Sequence, residues 1–131
     1  MKVDYDSIKP IYLQIAEAIE DDILTGQLFE GDPAYSQLTL SKELGVNPAT
    51  AAKGINVLVQ EGVLEKKRGQ SMTVTRGAKK KLLALRKISG IQPLIQSLVT
   101  QAQKMELSEE EVLGMVHDCF QVRSRGEVNG G

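Results

Sequence analysis

From Ser36 to Gly62 the chain reads SQLTLSKELGVNPATAAKGINVLVQEG, and no other stretch constrains the fold as much. Ser36 is a good N-cap for a short helix QLTLSKEL, because its side-chain oxygen can accept from an orphan N–H of the first turn. Gly45 stops that helix by taking the left-handed conformation that closes a C-terminus without a Cβ clash. Asn47 caps a second helix, and Pro48 sits at its first position, where a missing N–H costs nothing. That helix places Ala51, Ile55 and Leu58 on one face and ends at Gly62. Two helices separated by Gly45, Val46 and Asn47 make a helix-turn-helix candidate, although all-helical proteins use the same hairpin for packing alone. The second helix begins with Ala49, Ala51, Ala52 and Gly54, small side chains that would let something large approach it closely.

The flanking segments narrow the choice. After Gly62 come VLEKKR, then Gly69 and Gln70, then SMTVT: two short runs with β-branched residues joined by a tight turn. A hairpin with a basic tip after a helix-turn-helix is the layout of a winged helix. Before it, Ile11, Ile15, Ala18, Ile19, Ile23 and Leu24 mark an amphipathic helix from Pro10 to about Thr25, preceded by Ser7 or Lys9 and ended by Gly26. The following QLFEGDPAY reads as a loop around Gly31, Asp32 and Pro33.

The net charge of −1 conceals a sharp division along the chain. Residues 1–63 hold four Lys or Arg against ten Asp or Glu, residues 64–87 nine against one, and the remainder three against six. A concentrated basic block in an otherwise acidic chain suits a surface that meets a polyanion, although a charge run alone also describes a solvated helix face.

Beyond residue 77 the pattern is helical. Leu82, Leu85, Ile88, Ile91, Ile95, Leu98, Ala102 and Met105 step by three or four and draw one long apolar stripe. Gly90 and Pro93 interrupt it, so a kink or break is expected near Ser89 to Pro93. Ser108 and Glu111 form a capping box that opens a last helix, with Val112, Leu113, Val116 and Phe120 facing one way. A helix on a small domain cannot bury so long a seam against itself. A second copy could cover it, or the last helix could fold back over it. The expected organisation is a winged helix-turn-helix over residues 1–76, a helical dimerisation region over 77–122 and a disordered tail over 123–131, mainly α with one small β-hairpin.

PIYLQIAEAIEDDILTGQL, the loop ending at Ser36, and LSKELGVNPATAAKGINVLVQEGVLEKKRGQSMTV together resemble the N-terminal winged-helix domain of the GntR family of bacterial transcription regulators, over roughly residues 8–76. The short helical remainder resembles the YtrA-type subfamily, whose members dimerise through a compact helical appendage. The resemblance implies a homodimeric, cytoplasmic repressor that reads a palindromic operator in double-stranded DNA. It places groove-facing positions at Asn47, Pro48, Ala49, Thr50 and Lys53 and the wing tip at Arg68, Gly69 and Gln70, beside Lys66 and Lys67, with Ser36 opening the second helix. Leu38 and Ala52 stand where the family usually has arginines that hold DNA. Arg76 and Lys79, Lys80 and Lys81 are flanking phosphate candidates. A winged-helix protein-interaction scaffold that has lost DNA contact is the alternative.

Other functions find little support. There is no roughly twenty-residue apolar run of the length that spans a bilayer. His117, Asp118 and Cys119 are consecutive and point in different directions on a helix, so they cannot jointly hold an ion. No enzyme motif and no cofactor-binding pattern is present. The single cysteine, Cys119, excludes an internal disulfide and is expected to be a small buried hydrophobe. No residue identifies a small-molecule effector, whose possible places are the dimer seam and the Gly90 to Pro93 interruption.

Overall fold

The computed structural model describes residues 1–67, 69 and 72–124. They form two compact units, Met1–Arg86 and a second from Lys87 onward. In the first unit α1 (Ile11–Leu24), α2 (Gln37–Leu44) and α3 (Pro48–Gln60) precede a hairpin of β1 (Leu64–Lys66) and β2 (Met72–Val74), and α4 (Ala78–Arg86) closes the unit. The core joins Ile15 and Ile19 of α1, Leu40 of α2, Leu58 of α3, Leu64 and Val74 of the hairpin and Leu82 of α4, all essentially inaccessible to water.

The helix boundaries follow the capping signals. Ser36 Oγ accepts from the Thr39 N–H at 3.0 Å, Gly45 takes φ +66°, and Asn47 Oδ1 accepts from the Ala49 N–H at 2.7 Å. The strands are shorter than the sequence suggests and pair antiparallel, Leu64 with Val74, Glu65 with Thr73 and Lys66 with Met72. The segment read as a plain loop does more than connect. Gly31, at φ +89°, donates to Val74 O at 2.8 Å, and Ala34 N donates to Met72 O at 2.7 Å, so residues 31–34 run along β2 and cover its free edge.

The small residues of α3 have a different cause from the one expected. Ala51 and Gly54 are buried, and a Cβ on Gly54 would lie 2.9 Å from the Tyr12 backbone oxygen and 3.1 Å from Ile15. They are small because α1 and α3 approach closely, whereas Ala49 and Ala52 alone of the four reach the outer side. Backbone cannot shift like a side-chain tip, so Gly54→Val is expected to cost about 3 kcal/mol of stability, measured by urea unfolding.

Three acidic side chains fix α4. The exposed Glu30 carboxylate accepts from the Gly77 N–H at 2.8 Å and the Lys79 N–H at 3.3 Å, which satisfies the opening of the helix and holds that carboxyl below its ordinary range. At the other end Arg86 Nη2 donates to Glu20 Oε1 and Asp21 Oδ1, both at 3.0 Å. Burial, a hydrogen bond with Glu20 and the charge of Glu20 push the neighbouring Glu61 carboxyl up to about 7, against the opposing pull of Arg86. The fold therefore favours the protonated acid. Its contribution to stability is complete below the ordinary carboxylate range and is lost as pH rises through about 7. Glu61→Gln is expected to melt above the parent at pH 8 and level with it near pH 5 in thermal scans.

In the second unit, a π-helical turn over Lys87–Ile91 leads into α5 (Gln92–Lys104), at the place where Gly90 and Pro93 predict an interruption. α6 (Glu109–Ser124) opens with the expected capping box: Ser108 N donates to Glu111 Oε1, and Glu111 N to Ser108 Oγ, both at 3.1 Å. Ala102 alone is buried among the described residues of this unit. Ile95, Leu98, Val99, Leu113 and Val116 stay exposed around a cleft of about 580 Å³ between α5 and α6, and Leu94 and Phe120 are exposed elsewhere on the same helices. Folding back of the last helix therefore covers only a fraction of the stripe. Cys119 is exposed on α6 as well, contrary to the expected buried role. No helix is long and apolar enough to cross a membrane among the described residues.

Candidate nucleic-acid interface

A helix that reads a groove must be supported on one side and bare on the other, and α3 meets both conditions. Ala51, Gly54, Ile55 and Leu58 are buried, while Ala49, Lys53, Asn56 and Gln60 are exposed. These exposed positions recur every three or four residues and form one stripe opposite the core-facing side. Asn47 and Pro48 are also exposed at the helix opening, and Thr50 is half-buried. Asn47 is committed to capping, so its side-chain oxygen organises the helix start.

Lys53 is the one charged side chain in PATAAKGINVLVQ. Its Nζ lies 4.2 Å from the centre of the Tyr12 ring, a cation–π distance. Asn56 and Gln60 share the exposed stripe with Lys53 and escaped the sequence reading, which stopped at the first turns. The signal was present as helical spacing from Ala49. Asn and Gln can pair twice with an adenine edge in the major groove.

The hairpin carries Lys66 and Lys67, both exposed, on the side chain's way to a turn where Gly69 takes φ +74°. Arg68 and Gln70, expected at the wing tip, lie outside the described residues. Ser36 is exposed at the start of α2, where its hydroxyl also donates to Thr39 Oγ1 at 2.8 Å. Leu38 is 61% exposed on the same helix, a large apolar side chain facing water where the resemblance expects an arginine. Lys79, Lys80 and Lys81 are exposed in the first turns of α4, and Arg76 just before it.

The expected dimerisation stripe divides between the units. Leu82 packs in the core of the first unit and is unavailable to a partner, and Ala102 is buried under α6. Leu85, Ile88, Ile91, Ile95, Leu98 and Met105 are each at least 42% exposed.

The family model for "Bacterial regulatory proteins, gntR family" matches residues 11–74, from the first helix to the end of the hairpin. A solved putative transcriptional regulator of the GntR family from Bacteroides thetaiotaomicron is 33% identical, with a TM-score of 0.73 over 86% of this chain and 98% of that one. The HTH-type transcriptional repressor YtrA of Bacillus subtilis is 29% identical over 78% of each chain. BusR of S. agalactiae, solved in complex with its busA-promotor DNA, is 25% identical, with a TM-score of 0.51 over 86% of this chain and 57% of that one. By contrast, the chain spans 28% of the Escherichia coli mannosyl-D-glycerate system repressor MngR, which is much longer. With a supported and exposed α3, a basic hairpin and a short helical second unit all matched, the chain belongs to the GntR family of DNA-binding bacterial transcription regulators, and to its YtrA type.

Proposed function

We propose that this regulator is a homodimeric repressor that reads a palindromic operator, with α3 in the major groove and the hairpin on the flanking backbone. The exposed stripe Ala49, Lys53, Asn56 and Gln60 enters the groove, since a helix buried on one side and bare on the other fits a groove about 12 Å wide. Asn47, Pro48 and Thr50 bring the helix opening to the bases, where the Ala49 and Ala52 methyls can meet a thymine methyl. Ser36, Lys66, Lys67, Arg68, Gly69 and Gln70 serve the phosphates, together with the basic opening of α4. Residues 1–76 supply the DNA-binding domain and 77–122 the dimerisation region.

The second copy follows from the second unit, which leaves Ile95, Leu98, Leu113 and Phe120 in water and buries only Ala102 among its described residues. Two-fold pairing would set the two α3 helices about 34 Å apart, one turn of duplex. Leu38 favours a second reading, a protein-interaction scaffold with weakened DNA contact, because it puts an apolar side chain where a phosphate-binding cation would serve better.

A mobility shift with duplex from upstream of its own gene, titrated with salt, separates the two readings. The expected result is a complex of two chains per duplex that weakens steeply as salt rises. A failure to shift any duplex at 50 mM salt would favour the scaffold. Light scattering at micromolar concentration should give a dimer, and a monomer would defeat the two-fold arrangement.

A further inference from the structure

The geometry points to Tyr12, a residue of α1, as a positioning residue for DNA binding: its ring fixes Lys53 as a clamp on the phosphate backbone at the α1 edge of the recognition helix. This inference rests on the proposed placement of α3 in the groove. Gly54 permits α1 and α3 to approach until a Cβ would meet the Tyr12 carbonyl oxygen at 2.9 Å. That approach brings the Tyr12 ring beside the preceding residue, Lys53, whose Nζ sits 4.2 Å from the ring centre. A free lysine ammonium is a strongly hydrated charge on a flexible stem and samples many rotamers. The ring face attracts it electrostatically and reduces what must be ordered on binding. Since the ring belongs to α1, the ammonium is drawn to the flank of α3 and away from the middle of its exposed stripe. A flank position meets the strand that borders the groove, whereas Asn56, with no such tether, keeps the position suited to a base edge. Lys53 is the only charge on α3, so its aim decides where the helix anchors.

The clamp predicts uniform effects on affinity, without change in sequence preference. Affinities would be measured for the parent, Tyr12→Phe, Tyr12→Leu, Lys53→Met and the Y12L/K53M pair, against the upstream duplex and an unrelated duplex of equal length, over a salt series. Tyr12→Phe keeps the ring and should match the parent. Tyr12→Leu should weaken both duplexes alike, by about two- to five-fold. Lys53→Met should lower the salt slope by about 0.9, and Tyr12→Leu should then add nothing further. Equal losses from Tyr12→Leu in the parent and K53M backgrounds would overturn the inference, as would losses confined to one duplex. A readout on the DNA-free protein keeps the test decisive if Tyr12→Leu folds poorly. The Lys53 ε-methylene protons of the parent should resonate upfield through the ring current, and an unshifted resonance would refute the positioning role. A parent that shows the upfield resonance but binds no duplex would instead sink the proposed placement of α3, and the clamp with it.

Discussion

Replacing Lys66, Lys67 and Arg68 together by alanine is expected to weaken operator binding by about two to three orders of magnitude at 0.1 M salt and to reduce the salt slope by about 2.7 log units. The magnitude comes from counterion release. Each cation that neutralises a phosphate frees a condensed ion, contributes about 0.9 to the slope, and gains about eight-fold in affinity at that salt. Lys66 and Lys67 are exposed, and among the described residues their side chains make no hydrogen bond or ion pair that would compete. Their loss should leave the melting temperature nearly unchanged, since exposed substitutions away from special features rarely move stability far. Mobility shifts at several salt concentrations, with thermal melts as control, give both quantities. An unchanged slope would remove the hairpin from the interface.

Leu98→Asp should have an effect of comparable size by a different route. Leu98 is 42% exposed in the single chain and lines the apolar α5–α6 cleft together with Ile95, Val99 and Leu113. A carboxylate placed there would be harmless in a monomer but would have to be desolvated at an interface between two copies. The expected product is a folded monomer, seen by light scattering. Its operator affinity should fall by about 10²–10⁴-fold, because the second half-site is no longer presented at an effective concentration near millimolar. The winged unit should keep its far-UV spectrum, since α1 to α4 build their core without α5 or α6. A variant that stays dimeric would place the seam elsewhere on the chain.

Both predictions draw on features that differed in how visible they were. The helix-turn-helix was legible because its signals are local: Ser36, Gly45, Asn47 and Pro48 each satisfy or remove a particular orphan backbone group, independent of distant contacts. The capping box at Ser108 and Glu111 was legible for the same reason. Three readings failed, and a fourth was incomplete, where the answer depended on a remote partner. Gly54 is small because Tyr12 and Ile15 press on it from α1. Leu82 belongs to the core of the first unit although its spacing continues the apolar stripe. Residues 31–34 look like a loop until β2 offers its edge. Cys119 is apolar in character yet exposed on α6.

The sequence by itself determined where helices start and stop, which segment carries the positive charge, and the winged-helix order of elements. Capping, turn geometry and charge depend on neighbours within a few residues, so one dimension holds them. Only the tertiary structure decided that Gly54 seats α1 against α3, that Lys53 rests on the Tyr12 ring, and that Glu20, Glu61 and Arg86 share one cluster at the end of α4. Those facts depend on how near two helices come, and that distance is set by a missing side chain on one element meeting the backbone of another forty-two positions away.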